Sequence, residues 1–117
     1  MSSLRVALIL LLLAGPVWAE ESHLVDPERV ADAIWAAEGG ERAKVPYGIL
    51  SVKVSGESEA RRVCLNSIRN SRDRWEKAGR PGDWLDFMAA RWVPIEADPI
   101  GHKNWLKNVR AILCQSK

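Results

Sequence analysis

Glu38 stands where a glutamate has no reason to be if its only task is solubility. At about 100° per residue along the preceding segment, Ala37, Val30, Ile34, Glu38, Ala31 and Trp35 follow one another around one side of a helix. Glu28, Arg29 and Asp32 fall on the opposite side. A carboxyl held against Ile34 and Trp35 loses hydration, which disfavours its charged form and raises its pKa. The partial negative charge at the C-terminal end of the helix pushes the same way. A glutamate that keeps its proton near neutral pH can give it to a leaving oxygen, the task of a general acid in glycosidic cleavage. The competing assignment is a frayed helix end with Glu38 in water.

Other chemistries find less support. His23 and His102 are the only histidines and lie far apart, which argues against a metal site, and no cofactor motif is present. No Gly-x-Ser-x-Gly elbow offers a nucleophilic serine. Glycoside hydrolases commonly use two carboxylates flanking the scissile bond. Glu41, Glu57, Asp83, Glu96 and Asp98 are candidates for a second acid; Glu41 is the nearest in sequence, and none is singled out by its position. Arg91 falls inside an apolar arc between Phe87 and Trp84, so it either pairs with a carboxylate of a cleft or carries its charge out to solvent on an apolar stem. Trp35, Trp75, Trp84, Trp92 and Trp105 all lie on or beside apolar stripes and read first as core. Trp92 is the exception, because it ends a helix beside a proline loop where its face could stack on a sugar ring. Asn104 and Asn108 either cap the last helix or contact N-acetyl groups.

Four short helices must hold these side chains. The first runs over Pro27 to Glu38, with Asp26 as N-cap, Pro27 in the first helical position and Gly39-Gly40 as its stop. The second covers Glu57 to Ala78, with Ala60, Cys64, Ser67, Ile68, Ser71 and Trp75 on one side. The third spans Asp83 to Trp92. Ile95 to His102 reads as a loop because Pro94 precedes it and Pro99 lies within it, and the fourth helix covers Lys103 to Leu113. Between the first two, Tyr47 to Val54 is β-branched and alternating, which predicts a small β-hairpin or extended segment. The fold class is therefore mainly α.

Residues 1–19 read as a secretory signal peptide: Arg5 supplies the positive start, Val6 to Ala14 the apolar run, and Val17-Trp18-Ala19 the small residues before a cut. The apolar run is shorter than the roughly 20 residues a spanning helix needs, so no stable membrane insertion is expected. The mature domain then occupies residues 20–117, in the periplasm or outside the cell. In an oxidising compartment Cys64 and Cys114 are a natural disulfide pair. Closing that loop of about 50 residues contributes roughly 4 kcal/mol on the chain-entropy model. The 17 Lys and Arg against 15 Asp and Glu form no basic block, so nothing in the charge argues for nucleic acid and none is expected as a partner.

Ala33-Ile-Trp-Ala-Ala-Glu38-Gly-Gly, followed nine residues after the glutamate by Tyr47-Gly-Ile-Leu-Ser51, resembles the core of the lysozyme-like superfamily. It is most similar to the soluble lytic transglycosylases and small bacterial and phage lysozyme-like proteins. The resemblance implies an α+β lysozyme-like domain in which Glu38 is the catalytic acid/base and Tyr47, Gly48 and Ser51 line the substrate cleft. It departs from the family in carrying Glu38-Gly39 where Glu-Ser is usual, and Gly48-Ile-Leu-Ser51 where Gly-Leu-Met-Gln is usual. The activity implied is cleavage of peptidoglycan glycan strands. Beside the resemblance, the helix positions of Arg91, Trp92 and Asn104 make them candidate substrate contacts, and a monomer is expected. A hydrolase using water and a non-catalytic peptidoglycan-binding protein are the alternatives.

Overall fold

The computed structural model describes residues 21–50 and 53–115; the expected signal peptide and Ser51 lie outside the described residues. Four helices carry the domain. They are α1 (Pro27–Ala37), α2 (Glu57–Lys77), α3 (Trp84–Trp92) and α4 (Pro99–Gln115). Single turns of tighter helix lie at Ser22–Leu24, Gly40–Arg42 and Pro46–Gly48.

Each helix starts where its local chemistry allows. The Asp26 carboxylate accepts from the Glu28 N–H at 3.1 Å ahead of α1, and Pro27 follows as a residue that needs no N–H partner. Ahead of α2, Ser55 and Glu59 are joined through the Ser55 N–H and hydroxyl, at 3.1 and 3.3 Å. Asp83 caps α3 by accepting from the Leu85 N–H at 3.1 Å. The last helix begins four residues ahead of its expected start. Asp98 accepts from the Gly101 N–H at 2.9 Å, and Pro99 opens the helix. This Asp-Pro entry is the same device that starts α1, so Pro99, read as a loop residue, begins a helix.

The expected β-hairpin is not seen: no strand occurs among the described residues, and the chain passes from the Pro46–Gly48 turn into extended backbone at Ile49. The reason lies in residues 46–48. Pro46 has no N–H to give a neighbouring strand, and Tyr47 and Gly48 both take left-handed backbone angles, with φ of 61° and 68°. The backbone bonds here are local, from the Gly48 N–H to the Val45 carbonyl at 2.9 Å and from Ile49 to Pro46 at 3.4 Å.

Helix α1 packs on α4 and α2, α3 on α2 and α4, and the Pro46–Gly48 turn sits against both α1 and α2. Val30 and Ile34 of α1, Cys64 and Ile68 of α2, Trp84 of α3 and Val109 of α4 are fully enclosed between them. The Trp84 indole N–H donates to the buried Ser71 hydroxyl at 2.9 Å, which donates on to the Ile68 carbonyl at 2.8 Å. The guanidinium of Arg72 lies over the Trp84 ring at 4.3 Å and donates to the Ser22 and Val25 carbonyls at 3.1 and 2.5 Å. Trp75, Trp84 and Trp105 are core residues, whereas Trp35 and Trp92 are half-buried. No described helix is long and apolar enough to cross a membrane.

The expected disulfide is not formed. Cys64 is a free thiol sealed inside the core, and Cys114 is a free thiol exposed near the end of α4. Burial pushes the Cys64 thiol up to about 12, against the opposing charge of Arg61.

Candidate active site

Glu38 occupies the C-cap of α1. Its N–H still donates to the Ile34 carbonyl at 3.0 Å, and Gly39 then turns the chain at φ 110°. The side chain is half-buried, and desolvation raises its carboxyl above the ordinary value. No hydrogen bond or ion pair to that carboxyl occurs among the described residues. The apolar-arc position read from the wheel is therefore matched by a carboxyl that is partly dehydrated and uncommitted.

The carboxyl lies directly on the backbone of Gly48. A Cβ added at Gly48 would overlap Oε2 and stand 2.6 Å from Cδ of Glu38. Real Cβ atoms do not approach carbon so closely, so only glycine fits there while Glu38 holds its place. Its φ of 68° independently favours glycine. Gly48 is thus the residue that sets Glu38 against the following segment.

Tyr47 explains how that segment is held. Its left-handed angle is unfavourable for an L-residue by roughly 1–2 kcal/mol. The side chain is only 2% exposed, and its hydroxyl accepts from Arg61 Nη1 at 3.1 Å. The same guanidinium binds Glu28 at 2.7 Å and Asp32 at 2.9 Å on α1. Arg61 therefore ties α2, α1 and the turn into one unit. Tyr47 is a buried anchor of this unit and does not line the cavity beside Gly48.

A cavity of about 510 Å³ opens beside Gly48. Gly48 and Ile49 form one wall, Ser67, Asn70 and Arg74 of α2 a second, and Arg91 and Trp92 of α3 a third. Glu38 does not itself line this space; it lies against Gly48, which does. Of the sequence-based candidates, Gly48, Arg91 and Trp92 line one cavity, and Glu38 meets that group through Gly48. Asn104 is exposed on α4 and does not line the cavity. Arg91 is exposed and pairs with no carboxylate among the described residues. The arginine tied most deeply into the core is Arg72.

Ser67, Asn70 and Arg74 were not singled out by the sequence. A signal was present, because Ser67 breaks the apolar stripe of α2 and Asn70 and Arg74 follow it at helical spacing. The acids considered as partners for Glu38 are engaged elsewhere or exposed. Asp83 accepts from the Ser22 hydroxyl at 2.7 Å and from Arg110 at 3.0 Å, Asp98 caps α4, and Glu41, Glu57 and Glu96 are exposed. Burial pushes the Asp83 carboxyl up, but the Ser22 and Arg110 hydrogen bonds outweigh it and hold the group below its ordinary value. His23 stacks at 4.9 Å on Trp75, and His102 Nδ1 meets the Val93 carbonyl at 2.6 Å. Among the described residues no three His, Cys, Asp or Glu side chains converge as metal ligands.

No known family's sequence model matches the chain, and neither a curated protein nor a solved structure matches it.

Proposed function

We propose that this protein is a peptidoglycan lytic transglycosylase with Glu38 as its single acid/base, acting in the periplasm or outside the cell. The observation that carries the proposal is the Glu38 carboxyl: half-buried at a helix end, free of ion pairs among the described residues, raised in pKa, and pressed on the glycine that borders the cavity. Such a carboxyl is suited to hold a proton until a leaving oxygen needs it.

The reaction follows from one group acting twice. The Glu38 carboxylic acid protonates the bridging oxygen, the bond from that oxygen to the muramyl anomeric carbon breaks, and the neighbouring sugar leaves with a free hydroxyl. The resulting carboxylate takes the proton of the muramyl 6-hydroxyl, whose oxygen bonds to the anomeric carbon and closes an anhydro ring. Glu38 ends as it began, and no water is consumed. A hydrolase would need a second carboxylate to activate water. The exposed or committed state of Asp83, Asp98, Glu41, Glu57 and Glu96 favours the transglycosylase over that reading. Gly48 positions the acid, Trp92 offers a face to a sugar ring, and Arg91 contacts substrate. Ser51 is retained as a substrate contact on the resemblance alone.

The test is release of soluble glycan from purified peptidoglycan. Glu38→Gln keeps the shape of the side chain and removes its proton transfer, so release should fall by about 100-fold or more. Equal release by both proteins would remove Glu38 from the mechanism.

A further inference from the structure

Two consecutive residues beneath Glu38 hold left-handed backbone, and only one of them is a glycine. Gly48 takes φ 68° at no steric cost, whereas Tyr47 holds φ 61° against the preference of any residue with a Cβ. Something must therefore keep Tyr47 in place. Its side chain is enclosed where the turn meets α1 and α2, and its hydroxyl accepts from Arg61 Nη1 at 3.1 Å. Arg61 is itself fixed on α1, with Nη1 donating to Asp32 at 2.9 Å and Nη2 to Glu28 at 2.7 Å. These bonds all involve a charged donor, which makes them stronger than neutral ones and able to offset strain at one residue. Arg61 makes no hydrogen bond or ion pair with Glu38 among the described residues. It reaches the acid through Tyr47 and then Gly48, whose backbone lies on the Glu38 carboxyl.

Resting on the transglycosylase reading above, we propose that Arg61, acting through the Tyr47 hydroxyl, is a positioning residue that keeps the Tyr47–Gly48 turn closed on the Glu38 carboxyl and shields the acid from water. One end of this frame is Glu28 and Asp32 of α1, the helix that ends at Glu38, so the turn is fixed relative to the acid it covers. Burial is the cause of the raised Glu38 pKa, with no contribution from a neighbouring charge. The charged groups around it are engaged elsewhere or exposed. Glu41, Arg42 and Lys44 just beyond it are exposed, Arg61 of α2 is committed to Tyr47, Glu28 and Asp32, and Arg110 of α4 to Asp83 and Asp86. What keeps the proton on Glu38 is therefore cover, and the Gly48 backbone is cover in direct contact with the carboxyl. Loosening the turn admits water and favours the carboxylate.

The test follows the Glu38 carboxyl by carbon NMR of protein labelled at its glutamate side-chain carboxyls, with the resonance assigned by its loss in Glu38→Gln. Tyr47→Phe keeps the buried ring and removes only the oxygen that Arg61 holds, and Arg61→Met removes the other end of the bond. In both, the Glu38 titration midpoint should fall toward the ordinary glutamate value, and in the double variant it should fall no further than in the more affected single one. Asp83→Ala, which loosens α3 instead, should leave the midpoint in place. With soluble glycan strands as substrate, Tyr47→Phe should lower kcat about ten- to a hundred-fold and change KM by no more than about twofold. Its loss of kcat with rising pH should also begin at lower pH. A midpoint unmoved in Tyr47→Phe overturns the positioning role, whatever Arg61→Met does to folding. Effects of the two substitutions that simply add, or an equal fall in Asp83→Ala, overturn it as well. A midpoint lowered by Tyr47→Phe, when the unsubstituted protein releases no glycan, supports the positioning role and overturns only the enzyme reading.

Discussion

Replacing Gly48 by alanine tests the contact that places Glu38. The substitution has two separable costs. One is the left-handed backbone at φ 68°, worth roughly 1–2 kcal/mol for an L-residue whatever stands at position 38. The other is steric, because the new Cβ would stand 2.6 Å from Cδ of Glu38 and overlap its carboxyl. Contacting residues that cannot relax independently couple by about 0.5–3 kcal/mol. Gly48→Ala should therefore destabilise the protein by about 2–4 kcal/mol when Glu38 is present and by about 1–2 kcal/mol in a Glu38→Ala background. Urea unfolding followed by tryptophan fluorescence measures both, since Trp75, Trp84 and Trp105 are buried. The slope of the unfolding transition should stay constant across the four proteins. The same loss in both backgrounds would refute the reasoning, because it would mean the side chain of Glu38 does not occupy the space above Gly48.

Three further outcomes are expected. Because burial raises the folded-state pKa of Glu38, its favourable contribution is complete below the unfolded pKa near 4.3 and is lost as pH rises through the folded pKa. Glu38→Gln should thus match the unsubstituted protein in stability at pH 3.5 to 4 and exceed it at neutral pH; a constant gap at all pH values contradicts the burial. Asp83 is the opposite case, with a folded pKa held low by Ser22 and Arg110, so its contribution is present above the ordinary Asp pKa near 3.9 and fades as pH falls through the folded value. Asp83→Ala, which removes the α3 cap and both partners, should cost about 1–2 kcal/mol at pH 7 and less in acid, read by urea unfolding. A thiol reagent should label Cys114 promptly in the folded protein and Cys64 only on unfolding, as their exposure dictates; failure of both to react after denaturation would indicate a bridge.

The legible part of the fold was the part set by local rules. Helix periodicity, the Asp26 and Asp83 caps and the glycine stops placed three helices to within a residue or so, because each signal acts inside one or two turns. The start of α4 was misread because Pro99 carries two opposed meanings, and only the Asp98 carboxylate before it selects between them. The β-hairpin failed for another reason. The alternation of Tyr47 to Val54 is a strand pattern, but the left-handed turn at Tyr47 and Gly48 is fixed by contacts from α1 and α2 that no local window contains. The disulfide was an inference from cellular context, and packing overrode it by placing Cys64 in the core.

The same division holds for the site. Glu38 was legible because a carboxylate on an apolar arc violates a strong local rule. Its contact with Gly48 depends on a turn folding back over ten residues, and the family resemblance suggested that proximity where periodicity did not. The burial of Tyr47 was not legible because its hydroxyl is claimed by Arg61, a residue whose role appears only once α1 and α2 are packed. Arg74 and Arg91 come from different helices, so their convergence on one cavity is a property of the α2–α3 packing and not of any spacing along the chain.

Mass spectrometry of the soluble products from purified peptidoglycan tests the central claim most directly. If Glu38 acts alone as acid and base, the released fragments should end in anhydromuramyl rings, one water lighter than ordinary reducing ends, and Glu38→Gln should release almost none. Reducing muramyl ends would contradict the single-acid mechanism and require a water-activating carboxylate. Intact peptidoglycan, bound equally by both proteins and never cleaved, would contradict the enzyme itself.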